Sequence, residues 1–238
     1  MIHTKLIGIS LICLGFAFTA SAQKGKKQTN PTNNMNTELK NETDTVSYGL
    51  GLLISKNLAS QGFDSINIDA FIKAMKDVMA KQPTKISEQQ AQTLVQNFAA
   101  KKKNAEAEKN LKEGIAFLEK NKLRKEVITT ASGLQYEILK QGTGEKPKDL
   151  NTQVTAHYHG TLIDGRVFDS SVNRGQPFKT RVGGVIKAWQ EALMLMNVGT
   201  KLRIYCPSEL AYGPQGAGQM IGPNTVLIFE MELLSIDN

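Results

Sequence analysis

The chain has 238 residues, 40% of them hydrophobic and 21% charged, with a formal net charge of +7. That balance excludes a disordered chain and gives enough apolar material for one or two domains. Basic residues are scattered apart from short clusters such as Lys101-Lys102-Lys103, without the dense patch interleaved with aromatics that marks a nucleic-acid binder, so the charge reads as a solvated surface and no nucleic-acid partner is expected.

Residues 1–22 place His3 and Lys5 ahead of the apolar run LIGISLICLGFAF and end in Ala20-Ser21-Ala22. This is the plan of a secretory signal peptide cut after Ala22. The run is too short and wrongly flanked for a membrane span. Cys13 lies inside the run behind Ile12, which argues against a lipoprotein site. Export is expected, to the periplasm or in association with an outer membrane, with secretion left open. Cys206 is then the one cysteine of the mature chain, so no internal disulfide is expected. Ahead of Pro207 in a strand-like run, it reads as a small buried hydrophobe.

Residues 23–44 are polar and poor in large apolar side chains, and read as a flexible linker. From Thr45 the apolar residues Val46, Leu50, Leu53, Ile54 and Leu58 recur at helical spacing, with Gly62 as a stop. NIDAFIKAMKDVMAKQ predicts a second helix whose face carries Ile68, Phe71, Ile72, Met75 and Met79. A third begins at Ser87, with Gln90 as its capping-box partner, and is predicted to run to about Glu126, roughly 60 Å. Its middle, KKKNAEAEKN, has no large apolar side chain, so it reads as a solvated bridge between two bodies. The helical segment before it has a thin core and no disulfide. Dimerisation through residues 45–100 is the expectation this shortage raises; an independent small bundle is the alternative.

After Val127 the texture changes to short runs rich in Val, Ile, Tyr and Phe: GLQYEILKQG, QVTAHYHGTL, VFDSS, KLRIYCP and TVLIFEMELLSI. One helical piece, VIKAWQEALMLMNVG, interrupts them. The fold class is α+β: helices first, then an antiparallel sheet with a single helix.

The stretch HYHGTLIDGRVFDSSVNRGQPF holds histidines, aspartates and paired serines. Ser170 and Ser171 lack a nucleophile elbow and read as a turn. His157 and His159 have no further histidine downstream and no zinc-ligand spacing, so neither a metal nor another cofactor is expected. The aromatics carry more information. VTAHYHGTLIDGRVFDSSVNRGQPF, VIKAWQEAL, LAYGPQGAG and IGPNTVLIFEMELLSI, in that order over about residues 131–238, resemble the FKBP-type peptidyl-prolyl cis-trans isomerases. The leader, the helical segment and the long helix are similar to the secreted macrophage infectivity potentiator-like branch.

The resemblance implies a sheet wrapped on one short helix, with an apolar pocket between them. It implies that Tyr158, Phe168, Asp169, Trp189, Tyr212 and Phe229 carry catalysis, with Trp189 as the pocket floor. It implies that Phe178, Val185, Ile186, Ile221 and Arg174 bind or support the substrate, Arg174 by pairing with Asp169 or holding Tyr158. It further implies an all-α dimerisation domain with its long helix over residues 45–126, an isomerase domain over 127–238, a homodimer, proline-containing unfolded polypeptides as partners and macrolides as inhibitors. The sequence departs from the family pattern at Ala188, where glycine is usual, and at Thr180, where a larger apolar residue is common. The activity implied is peptidyl-prolyl isomerisation with a chaperone role. A non-catalytic dimeric chaperone or peptide-binding module is the competing reading.

Overall fold

A computed structural model describes residues 38–63 and 65–237. The signal peptide and most of the linker expected over 23–44 lie outside the described residues. The described residues divide into two units between Tyr48 and Gly49. No helix among the described residues is long and apolar enough to cross a membrane.

Helix α1 spans Glu42–Ser60 and so begins before Thr45. Its start is a cap rather than an apolar residue: the Asn41 Oδ1 accepts from the Asp44 N–H at 2.9 Å, with Glu42 and Asp44 in the first turn. Gly62, at φ +80°, follows its end. Helix α2 spans Ile68–Met79, capped by the Asn67 side chain on Ala70 N at 3.0 Å. Helix α3 spans Glu88–Asn121 and opens with the expected capping box, Ser87 N donating to Gln90 Oε1 at 2.8 Å and Gln90 N to Ser87 Oγ at 3.2 Å.

α3 stops at Asn121 and not at Glu126, because there the chain turns into the sheet. The buried Asn121 side chain donates to Gln135 Oε1 at 2.9 Å, and Gln135 Nε2 donates to Leu118 O at 3.0 Å. The 34 residues of α3 span roughly 51 Å. The thin core expected of the helical segment is thinner still. No residue of α1 is buried, and in α2 only Asp77, paired with Lys73, is. Leu50, Leu53, Ile72, Met75, Val78, Met79 and Leu94 stay exposed. One stacked pair, Phe63 on Phe98 with ring centroids 5.7 Å apart, ties the end of α1 to α3.

The second part is a seven-stranded antiparallel sheet. Its strands are β1 (Ile128–Thr129), β2 (Gln135–Lys140), β3 (Gln153–Leu162), β4 (Val167–Ser170), β5 (Phe178–Arg181), β6 (Lys201–Cys206) and β7 (Leu227–Asp237). Their order is β1-β2-β6-β7-β3-β4, with β5 paired to β3. The period-two rule holds along β7, where Leu227, Phe229, Met231 and Leu233 are buried and their neighbours are not. Helix α4 (Lys187–Leu195) turns Ala188, Trp189, Ala192 and Leu193 into the same core. Ala188, a departure from the family pattern, is thus a fully buried packing residue. Cys206 is buried at the end of β6. The short strands β1 and β5 are additions to the sequence reading; neither carries enough apolar alternation to announce itself.

The sheet and the end of α3 share a polar network. Glu137, its side chain 6% exposed, accepts from Arg124 Nη2 at 2.9 Å, Arg203 Nη1 at 2.8 Å and Tyr205 OH at 2.7 Å. Removing this carboxylate leaves the Tyr205 O–H without an acceptor, although its oxygen still accepts from Arg124 Nη1 at 2.8 Å; Arg124 also keeps Glu126 and Arg203 keeps Glu230. Glu137→Ala is therefore expected to lower stability by about 2–3 kcal/mol, less than the loss of a buried pair whose partner has no alternative. Urea denaturation monitored through Trp189 fluorescence measures it, and the loss should change little with added salt because the carboxylate is buried.

Candidate functional site

β3, β4, α4 and β7 surround an open cavity of about 530 Å³. Alternation along β3 turns Tyr158 inward, and the same alternation on β7 turns Phe229 to meet it. Trp189, in the first turn of α4, forms the floor. Ring centroids lie 5.0 Å apart for Tyr158 and Trp189, 5.3 Å for Trp189 and Phe229, and 5.4 Å for Phe168 and Phe229. Phe178 stands 5.9 Å from Tyr158 and 6.3 Å from Trp189. Every one of these pairs meets edge to face, the arrangement aromatic quadrupoles favour.

Gly160 makes the packing possible. A Cβ there would stand 2.6 Å from Phe168 Cζ and 3.0 Å from Phe229 Cε1, so any other residue would push the rings apart. Trp189 Nε1 is fully buried and has no hydrogen-bond partner among the described residues.

The polar side of the cavity is a closed triad. Tyr158 OH donates to Asp169 Oδ2, Arg174 Nη1 donates to Asp169 Oδ1, and Arg174 Nη2 donates to Tyr158 OH at 2.8 Å. Ser170 N adds a bond to Asp169 Oδ1 at 2.8 Å. Partial burial pushes the Asp169 pKa up, but the bonds from Tyr158 and Arg174 outweigh it and hold the carboxyl below its usual range. Burial and the Asp169 bond raise the Tyr158 pKa against the opposing pull of Arg174. Arg174, bonded to Tyr158 and Asp169, is held above its usual value. At neutral pH the triad is carboxylate, phenol and guanidinium. A carboxylate so engaged is a poor general base.

The paired serines are structural. Ser171 Oγ accepts from Tyr158 N at 2.8 Å and lies 3.0 Å from His157 Nδ1, while Ser170 Oγ lies 3.0 Å from His159 Nδ1. Both serines are buried, so neither presents a nucleophile to the cavity.

Val185, Ile186 and Tyr212 complete the lining. Ile186 O accepts from Trp189 N at 2.9 Å and caps the start of α4. Among the described residues neither Ile186 N–H nor the Tyr212 hydroxyl has a hydrogen-bond partner, so both remain available at the rim. Arg174 acts on the cavity only through Tyr158 and Asp169. Ile221 packs in the core cluster rather than among the residues around the open cavity.

Sequence reasoning missed Gly184 in the lining, Ser171 behind Tyr158, and Gln190, whose Nε2 donates to Val185 O at 2.7 Å and steadies that wall. It also passed over Gly160, although a glycine inside an otherwise regular strand pattern signals a close approach.

Residues 144–234 match the FKBP-type peptidyl-prolyl cis-trans isomerase family, and residues 43–138 match the domain found amino-terminal to it. The outer membrane protein MIP of Legionella longbeachae is 42% identical over 84% of this chain and 88% of its own. The FKBP-type 22 kDa peptidyl-prolyl cis-trans isomerase of Escherichia coli K12 is 39% identical over 80% of this chain and 93% of its own. The crystal structure of FkpA from Escherichia coli, 34% identical, aligns with a TM-score of 0.64 over 84% of this chain and 99% of its own. The chain belongs to the FKBP-type peptidyl-prolyl cis-trans isomerases and is an enzyme of that class.

Asp169→Ala should lower kcat/KM for a proline peptide by about tenfold, the worth of a lost charge-assisted bond, with little change in the unfolding midpoint. Because the folded-state pKa of Asp169 is depressed, its contribution is complete above the ordinary carboxylate value of about 3.9 and is lost as pH falls through the lower folded value. The wild-type rate should therefore stay flat from neutral pH down to about 5, a range a stopped-flow isomerisation assay covers.

Proposed function

We propose that this isomerase seats the proline ring of a client chain on Trp189, between Tyr158, Phe178 and Phe229. Phe168 backs Phe229, and Asp169 with Arg174 fixes Tyr158. Val185 forms the wall ahead of α4. The Ile186 N–H and the Tyr212 hydroxyl hold the flanking peptide. Ile221 packs in the core beside this lining and steadies the loop it belongs to.

The reaction breaks no σ bond. Rotation about Xaa-Pro destroys amide resonance against a barrier of about 18–20 kcal/mol. The planar amide is charge-separated, and the twisted one is less so. A water-poor aromatic cavity favours the twisted form relative to bulk solvent. A thousandfold acceleration needs about 4 kcal/mol of that preference. The observation that carries this reading is the edge-to-face set of four rings around an open floor, with its one lining carboxylate already engaged by a tyrosine and an arginine. The same apolar cavity suits macrolide inhibitors.

The assembly follows from the uncovered helices. We propose a signal peptide over 1–22, a linker from 23 up to the start of α1 at Glu42 in place of the expected 23–44, a helical dimerisation domain with its long helix from there to 126 and the isomerase domain over 127–238. Support comes from the exposed apolar side chains of α1 and α2, which a single chain leaves in water. A second copy covers them, and the homodimer then carries two cavities. Two linked cavities hold a non-native client by multivalency, which is the basis of the chaperone role. The leader supports export, to the periplasm or an outer membrane, and the relative from Legionella longbeachae is itself described as an outer membrane protein.

Light scattering at micromolar concentration should give twice the monomer mass, and Leu53→Asp should return the monomer while leaving isomerisation of a short proline peptide unchanged. Trp189→Ala should abolish measurable saturation by the same peptide without altering the mass. A wild-type monomer, or normal saturation in the tryptophan variant, contradicts the corresponding half of the proposal.

A further inference from the structure

We infer that Asn110, on the long helix and outside the isomerase segment matched over 144–234, is a positioning residue for isomerisation: it holds the 213–225 loop and, through it, the Tyr212 wall of the cavity. The inference rests on the proposed reading that Tyr212 borders the bound peptide.

Tyr212 has little of its own to fix it. It is half-exposed, its hydroxyl has no partner among the described residues, and its neighbour Gly213 lies at φ +55°. Its place is set by the backbone on both sides: the turn before it, where Ala211 N donates to Ser208 O at 3.0 Å, and the 213–225 loop that follows. Within that loop Asn224 N donates to Gly213 O at 2.8 Å, and Ala217 N donates to Ile221 O at 2.8 Å. Asn224 sits at φ +55°, a left-handed conformation that asparagine tolerates better than most residues.

The loop is clasped to α3. Asn110 Nδ2 donates to Pro223 O at 2.9 Å and to Thr225 Oγ1 at 3.3 Å, and Asn224 Nδ2 donates to Ala107 O at 3.4 Å. Glycines on both sides allow the approach. A Cβ on Gly114 of α3 would stand 2.7 Å from Val226 Cγ2, and one on Gly222 of the loop 2.5 Å from Glu106 Oε1. Asn110, two residues of the loop and Gly213 thus form one connected path from helix to cavity. A misplacement of about 1 Å at a wall that holds the substrate is enough to weaken its engagement.

The test uses the full chain and a chromogenic Xaa-Pro tetrapeptide. Asn110→Ala should raise KM about threefold to tenfold, the worth of its hydrogen bonds, and leave kcat little changed. Asn110→Asp, close in size but with an acceptor facing the Pro223 carbonyl, should do at least as much. Lys112→Ala, two residues on and on the exposed side, should do nothing. In a Tyr212→Ala background Asn110→Ala should raise KM no further.

An unchanged KM in both Asn110 variants overturns the inference, as does an equal rise with and without Tyr212. If neither variant accumulates as a folded protein, Asn110 serves the fold and not the site, and the inference also fails. A Tyr212→Ala chain with unchanged KM instead sinks the reading of that wall, a separate result.

Discussion

Alternation along paired strands is what the site depends on. β3 and β7 run antiparallel with Tyr158 opposite Met231 and Gly160 opposite Phe229, so all four project to one face of the sheet. On the other edge of β3, Gly160 pairs with Asp169. One register therefore delivers an aromatic wall, its facing ring and the carboxylate that steadies it. A slip of one residue would send Tyr158 to the opposite face and leave Trp189 without its nearest ring. The residue at the centre of this register has no side chain, and the rings meet where it is missing.

Much of this was legible in the amino acids because it is local or periodic. QVTAHYHGTL alternates cleanly and became β3; Ser87 and Gln90 announced a capping box and formed one. What stayed hidden lay off the apolar pattern or far along the chain. The start of α1 is set by a polar cap at Asn41, upstream of the first apolar residue. Its far counterpart, the end of α3, is set by Asn121 reaching Gln135. Tyr158, Asp169 and Arg174 were named as a group, but their closure into one triad depends on how the turn after β4 folds back. Ile221, named from its motif position, packs in the core cluster next to the loop bridged by Ala217 and Ile221.

The two halves of the molecule solve burial in different ways. The sheet closes one continuous apolar core, with side chains such as Ile138, Leu139 and Val167 left exposed, and keeps its buried charge, Glu137, within reach of two arginines and a tyrosine. The helices before it leave theirs in the open, and their stability as drawn from one chain is correspondingly small. The polar middle of α3, expected to be solvated throughout, is so only at its start: from Glu106 onward it docks on the sheet domain, with Ala107 and Asn110 hydrogen-bonded to the loop around Pro223 and Asn224. Its glycine and asparagine positions are shaped to one loop of the sheet domain.

The seclusion of Cys206 has a consequence for chemical durability. Burial pushes its thiol well above the ordinary range, so almost none of it exists as the thiolate that attacks disulfides or reacts with peroxide. Among the described residues it has no second cysteine to join. Oxidants meet a sulfur that opens to attack only when β6 itself unravels, which disfavours both mixed disulfides and covalent cross-linking.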